Sequence, residues 1–321
     1  MAEIVTIGET MAALAPKTAG YLHYMKDYEM HIAGAESNLA IGVCKLGHTA
    51  GWISSLGDDE LGYFVRNNIR AEGVDTSYVK LDGEHRTGVM FKQVLAGKET
   101  SVFYYRENSA ASHMEPAFLR EEMFEGVKIL HLTGITPVLS ESCEQMVQAA
   151  VSFAAAAGLE ISFDPNIRRK LWKDRDYTPV LREIMDSSSI LMLGLDEAET
   201  LYGTREKEEI AERFFEKKTA KYVAVKDGGN GAFIADRSSS TFIEPYPCKV
   251  IDPIGAGDAF NAAFLCGILE GKSLKEAGLM AGIAGALATE SYGDIEGYPT
   301  RVVMQRTLAE ISGSGSREIF R

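Results

Sequence analysis

Paired or clustered cysteines are missing from this chain. The four it has, Cys44, Cys143, Cys248 and Cys266, stand far apart, and none forms a CxxC pair. Zinc sites and disulfide frameworks need closer, patterned spacing, so four buried free thiols are expected. The six histidines (His23, His31, His48, His85, His113, His131) show no metal-ligand spacing either, and no protein-built metal site is expected. Basic charge is scarce: 33 Lys and Arg face 46 Asp and Glu, for a net charge of −13. Without a basic cluster, such a chain repels a nucleic-acid backbone or an anionic membrane surface. A small anionic substrate stays admissible, because a few placed arginines override the global field locally. No apolar run is long enough to span a bilayer. The opening Met1 to Gly8 lacks the basic and long apolar regions of a signal peptide, so a cytoplasmic protein is expected. Repeats, low-complexity tracts and interdomain linkers are absent too. With 321 residues, 45% hydrophobic and 25% charged, the expectation is one domain over 1–321.

What is present alternates. Ile4 to Ile7 reads as a buried strand, Ser37 to Leu46 as a helix stopped by Gly47, Ala50 to Ser54 as a strand, and Leu61 to Glu72 as a helix stopped by Gly73. The texture then turns β-rich: Thr87 to Leu95 and Thr100 to Arg106 flank Ala96-Gly97-Lys98-Glu99 as a hairpin. With Tyr21 to His31 they predict a small sheet standing off the body, a lid drawn from about 12–33 and 86–112. From Val127 on, strands (Ile129 to Thr133, Glu160 to Asp164, Ile190 to Leu193, Tyr222 to Lys226) alternate with helices (Cys143 to Ala157, Val180 to Met185, Ile210 to Phe215). Gly231 to Ala235 and Thr241 to Pro245 form an antiparallel pair, followed by long helices over Asp258 to Leu269 and Leu274 to Ser291. Repeated βα units with near-continuous apolar strands predict an α/β fold, a mostly parallel sheet with helices on both faces. Ligands then collect at the carboxyl ends of the strands.

Gly255-Ala256-Gly257-Asp258 directly precedes a helix with core face Phe260, Ala263, Phe264 and Ile268. Glycines leave backbone N–H groups unobstructed, and a helix N-terminus adds partial positive charge, which suits a transferring phosphate. The same field is expected to hold Asp258 ionised, able to accept a proton from an attacking alcohol. On these residues alone a plain N-capping Asp is an equal reading. Gly271-Lys272-Ser273 is no P-loop, because position 266 is Cys266 and a helix precedes it. Nor is Gly255-Ala256-Gly257 a dinucleotide fingerprint, since Phe260 stands where a glycine is needed.

Several separated motifs, in order, make the chain resemble the ribokinase-like (PfkB) sugar kinases over essentially its whole length. Asp252-Pro253-Ile254-Gly255-Ala256-Gly257-Asp258 looks like the C-terminal signature. Ala33-Gly34-Ala35-Glu36-Ser37-Asn38, running on to Ser55 to Gly62, looks like the N-terminal one. Lys226-Asp227-Gly228-Gly229-Asn230-Gly231 resembles the nucleotide-side glycine turn. The resemblance implies Asp258 as catalytic base, aided by the Gly255, Ala256 and Gly257 amides. It implies ATP and Mg²⁺ as cofactors, with a monovalent cation as a further candidate ion. The nucleotide would be held by Asn166, Lys226, Gly228, Gly229, Gly231, Gly255 and Gly257. Within the family, Phe103-Tyr104-Tyr105-Arg106 and Phe163-Asp164-Pro165-Asn166-Ile167-Arg168 look like the 2-keto-3-deoxygluconate kinases. That likeness implies a sugar-acid acceptor contacted by Gly34, Asn38, Tyr104, Arg106, Arg168, Asp258 and Asp294. Planar arginine donors suit a carboxylate. Read without the motifs, Arg106 and Arg168 are surface arginines, and an Asp after Gly293 is turn chemistry. Two positions depart from the pattern: Gly194 stands where an Asn is common, leaving Glu197 without its partner, and Met90 stands where a Tyr is frequent. The lid strands are too short to bury both faces, and Phe91, Val102, Phe103 and Tyr105 predict an exposed apolar face that pairs in a homodimer.

Overall fold

The computed structural model describes residues 1–95 and 100–313. Its strands are β1 (Ile4–Ile7), β2 (Met11–Pro16), β3 (Tyr28–Ala33), β4 (Ala50–Gly57), β5 (Val79–Asp82), β6 (Val89–Gln93), β7 (Ser101–Tyr105), β8 (Ile129–Thr133), β9 (Glu160–Asp164), β10 (Ile190–Gly194), β11 (Tyr222–Lys226), β12 (Ala232–Asp236) and β13 (Ser240–Ile243). The helices are α1 (Ala35–Lys45), α2 (Glu60–Ala71), α3 (Glu141–Ala157), α4 (Arg169–Trp172), α5 (Thr178–Ser187), α6 (Leu195–Tyr202), α7 (Lys207–Phe215), α8 (Ala256–Leu269), α9 (Leu274–Ala288) and α10 (Arg301–Ile311).

Nine strands form the main sheet in the order β13-β12-β11-β10-β9-β8-β1-β4-β5. All neighbours pair in parallel except β11–β12 and β12–β13. The central strands are buried along their length because helices cover both faces. One face packs α1, α2, α8, α9 and α10 through residues such as Leu39, Val65, Phe264, Ile283 and Met304. The other packs α3, α5, α6 and α7 through Val147, Leu181, Leu201 and Phe214. From β1 the chain runs outward to β4 and β5, then returns to lay β8 on the opposite side of β1. That reversal opens a crevice at the carboxyl ends of β1 and β8, where this sheet class binds ligands.

The second sheet, β3-β2-β6-β7, is the lid. β2 and β6 pair in parallel, and the other two pairs are antiparallel. Its inner face is a small cluster of Met11, Ala13, Ala33 and Met90, with Val102 and Tyr104 packed against it. On the outer face Met30, Phe103 and Tyr105 are exposed. Val102 therefore belongs to the inner face rather than the exposed one, since it alternates with Phe103 along β7.

Several boundaries differ from expectation. The stretch before Tyr28 is turn and a short 3-10 helix, and only β3 is strand. The last helix of the long pair stops at Ala288. The expected turn at 96–99 lies outside the described residues. The thiols are free, but Cys248 is exposed in the loop between β13 and α8, and Cys44 is only half-buried near the end of α1.

Candidate active site

Asp258 stands in the first turn of α8, whose cap residue is Gly255. Gly255 has φ of 81°, and a Cβ there would lie 2.1 Å from the backbone oxygen of Asp294. Only glycine allows this approach. The Tyr298 hydroxyl donates to the Gly255 carbonyl at 2.8 Å, which pins the loop after α9 to the turn before α8. Asp252 steadies the same turn by accepting from the Ile254 amide at 3.1 Å.

Asn38 reaches this point from the second turn of α1. Its side-chain nitrogen donates to Asp258 at 2.9 Å and to Asp294 at 3.4 Å. Gly34 caps α1 and presses so closely on Thr10 and the Glu9 carbonyl that a side chain there has no room. Asp258 shares a polar cavity of about 320 Å³ with Asp164, Asn166, Arg168, Glu197 and Lys226. Beside it lies a mostly apolar cavity of about 340 Å³, whose walls include Ile243, Tyr246, Phe260 and Ala286. Gly228, Gly229, Gly231 and Gly257 also line it, and Lys226, Pro253 and Gly257 border both cavities. An apolar slot running into a polar chamber fits a nucleotide base and its phosphates, with the glycine backbones offering N–H groups free of side chains.

The expectation that the helix field holds Asp258 ionised does not stand. Burial pushes its carboxyl up to about 7, with the charges of Asp164 and Asp294 adding to the rise; the Asn38 bond and Arg168 work against it. Desolvation outweighs the helix terminus here.

Arg106 is not a surface residue. Its Nε donates to Glu9 at 2.7 Å, and its Nη2 pairs with the same carboxylate, both side chains being buried. Its guanidinium lies over the Tyr104 ring at 5.7 Å. Tyr104 and Arg106 border a wide groove beside the lid, with Leu171 and Trp172 on the far side. Arg168, by contrast, is exposed at the N-terminus of α4 and faces the Asp258 chamber. Two buried acceptors, Asn38 Oδ1 and Glu9 Oε1, have no partner among the described residues. Such groups cost free energy until a donor fills them, and a polyhydroxylated ligand supplies donors.

Lys226 is tied down at 2.8 Å to Asp164, which also accepts from Asn261 at 2.5 Å and from the Asn166 amide at 3.0 Å. Asn166 adopts φ of 38°, turning the chain between β9 and α4. Glu197 spends both oxygens on backbone amides, of Gly194 at 2.7 Å and Ile167 at 2.9 Å. With Gly194 in place of an Asn, this carboxylate braces two loops. Among the described residues no three His, Cys, Asp or Glu side chains are grouped to hold a metal.

Sequence reading missed Lys92. It lies on the inner face of β6, nearly fully buried, with its ammonium 2.7 Å from Asp294 and 3.9 Å from Asp252. Glu36 belongs to the Ala33 to Asn38 motif. It is fully buried, accepts from Thr133 at 2.5 Å and Thr136 at 2.8 Å, and is pushed up by desolvation. No helix among the described residues is long and apolar enough to cross a membrane.

Residues 1–301 match the profile of the pfkB family carbohydrate kinases. A 2-dehydro-3-deoxygluconokinase of Bacillus subtilis is 37% identical, covering 97% of this chain and 98% of its own. A 2-dehydro-3-deoxygalactonokinase of Haloferax volcanii is 32% identical, over 92% and 93%. An Escherichia coli putative ribokinase II, solved with ATP and Mg²⁺, superposes with a TM-score of 0.88 at 25% identity, over 97% of this chain and 100% of that one. A ribokinase-type sheet and lid, a nucleotide-shaped pair of cavities and a carboxylate at a helix N-terminus agree with these likenesses, and the chain belongs to the pfkB family of carbohydrate kinases, phosphotransferases with an alcohol group as acceptor.

Proposed function

We propose that this kinase phosphorylates the terminal (C6) hydroxyl of 2-keto-3-deoxygluconate, with Asp258 as general base. The observation that carries the reading is that Arg168 shares the polar chamber with Asp258, which Asn38 ties to Asp294. Asn38 and Asp294 orient the acceptor, and Asp258 takes its hydroxyl proton as the oxygen attacks the γ-phosphorus. The amides at the first turn of α8 have no intrahelical partner, so they donate to the phosphoryl oxygens as charge develops. Arg168 supplies the cation for the acid group, joined by Arg106 at the lid side. ATP lies along the two cavities, with Asn166 and Lys226 at its phosphate end and Gly228, Gly229 and Gly231 beside its base. Mg²⁺ would supply charge neutralisation at the phosphates, and the carboxylates that would face it, Glu197 and Asp164, are already bonded to protein partners. A monovalent cation is a further ligand of the family type, and a cytoplasmic location suits a soluble metabolite substrate.

A second acceptor has support in the Haloferax relative's name and in Met90, which removes a lid hydroxyl from the inner face. An epimeric keto-deoxy sugar acid would then be accepted too. A non-catalytic sensor is disfavoured by the intact base and anion turn. A coupled ADP-release assay over a panel of keto-deoxy sugar acids, fructose and ribose decides among them. The expected result is turnover with the gluconate-derived acid well above neutral sugars. Preference for a neutral sugar would overturn the acceptor assignment, and ADP release with no acceptor at all would overturn the kinase chemistry.

A further inference from the structure

A lysine on a short, alternating strand ordinarily faces water, because burying its ammonium without partners is costly. Lys92 does the opposite. Met90 and Lys92 occupy the inner face of β6, and Lys92 is only 4% exposed. Its ammonium enters the seam between two loops of the main body. One is the turn before α8, held by Asp252, which accepts from the Ile254 amide. The other is the loop after α9, carrying Asp294, whose second oxygen faces Asn38 and through it Asp258. Asp252 and Asp294 are 7% and 5% exposed. Two carboxylates so placed repel each other unless a cation stands between them.

We infer that Lys92 is a positioning residue for phosphoryl transfer, a lid-borne cation that clamps the phosphate-side turn through Asp252 and the acceptor-side loop through Asp294. Asp258 lies between the two clamped loops, so its distance from the acceptor hydroxyl depends on β6 being seated. The lid grips the same acceptor-side loop at a second point, where His31 of β3 meets Glu296 at 2.9 Å. Two ties from two lid strands to one loop distinguish a built coupling from a chance buried pair. Lys92 does not serve as a proton acceptor, and it acts through the two aspartates rather than by touching the reacting atoms. The inference rests on the kinase reading for its meaning, although its geometry does not depend on which sugar is the acceptor.

The test uses the full chain, with Lys92→Met, Lys92→Arg, Asp294→Asn and the Lys92→Met/Asp294→Asn double variant. Kinetics are taken on whichever acceptor the wild type turns over best. Misplacing a reacting group by about 1 Å costs on the order of 100-fold, so Lys92→Met is expected to lower kcat by about 10- to 100-fold while the KM for ATP stays close to wild type. Lys92→Arg should recover part of the loss. Because neighbours acting through one contact are not additive, Lys92→Met should cost little more once Asp294 is already Asn. Simple multiplication of the two losses, or an unchanged kcat in Lys92→Met, would overturn the inference. Where Lys92→Met does not fold, Lys92→Gln takes its place in the same comparison. A readout free of any acceptor is amide hydrogen exchange in the ligand-free chain. Lys92→Met should lose protection at 252–258 and 293–296, and protection equal to wild type there would also sink the proposal. A wild type that prefers a neutral sugar counts against the acceptor assignment alone, and leaves these ratios readable.

Discussion

Asp258 has the environment a proton acceptor needs at neutral pH, and the reason is unfavourable burial rather than a favourable partner. An ordinary aspartate ionises near 4 and is a feeble base, whereas a carboxyl pushed up to about 7 has both an ionised fraction and some basicity. The acid limb of kcat/KM for the acceptor should therefore bend near pH 7, not near pH 4. Stability runs the other way. Because the folded pKa is raised, the native state holds the proton longer than the unfolded chain, and stability is lost as pH climbs from about 4 through 7. Asp258→Asn keeps the shape but neither accepts a proton nor carries that penalty. It should lower kcat by about 10²–10⁴-fold while raising the unfolding temperature at pH 8, with the gain shrinking at pH 5. An unfolding temperature below wild type at pH 8 would show that the buried charge is not destabilising. The motif around Asp258 was legible in the sequence; its setting was not. Asp164, Asp294 and Asn38 come from three distant segments, and no local pattern records that two of their charges and one amide meet at Asp258. Lys92 was hidden for a related reason, since a lysine alternating along Val89–Gln93 reads as water-facing until Asp294 is known to lie beneath it.

At the level of elements, the parallel strands were the easiest to read. Ile129–Thr133, Glu160–Asp164 and Tyr222–Lys226 end where the sequence suggests, because uninterrupted apolar runs flanked by polar or glycine residues leave one choice. Met11–Pro16 falls largely within the expected lid but does not read as a strand, being half alanine with a terminal proline, and it is a strand because β3 and β6 hold it on both sides. Val79–Asp82 is short, and α6 falls in a stretch read only for how Gly194 and Glu197 stand against the family pattern. The two arginines show how much the supporting element matters. Arg106 follows directly on β7 and is locked to Glu9, whereas Arg168 stands exposed before α4 with no side-chain cap bond. Arg106→Ala strands a buried carboxylate and should cost about 3–5 kcal/mol of stability, read by denaturant unfolding, alongside any loss of activity. Arg168→Ala should leave stability within about 0.5 kcal/mol. It should weaken sugar-acid binding by about 1.5–3 kcal/mol, read as a raised KM for the acid but not for neutral sugars. Equal losses on both acceptor types would remove Arg168 from acid recognition.

On the scale of the whole molecule, the outer face of the lid is left uncovered by the described residues. Met30, Phe103 and Tyr105 are 41%, 45% and 67% exposed, with Phe91 packed edge-on between Tyr28 and Tyr105. We propose that a second copy covers this face, consistent with the apolar, aromatic character of a homodimer contact. Light scattering at low micromolar protein should give about twice the 35.0 kDa chain mass. Phe103→Asp should return the protein to monomer without unfolding it. A 35.0 kDa species in the wild type, unchanged by ATP and acceptor, would end the proposal. Val102, expected on that face, takes no part, because strand alternation turns it inward.

The bond from Tyr298 to the Gly255 carbonyl has a consequence in time rather than space. Every strand of both sheets has been synthesised once the ribosome passes Ile243, yet the turn at Gly255 and the loop at Asp294 are still to come. A nascent chain can thus assemble its sheets before it possesses a phosphate-handling turn, and the last helices dock onto a finished scaffold. Premature termination soon after Ile243 would leave a β-framework whose apolar face, including Ala224, Ile234 and Ile243, lacks the α8 and α9 residues that cover it. Such a fragment is a substrate for quality control and not a slow enzyme. Catalytic competence arrives late in translation, as a single event.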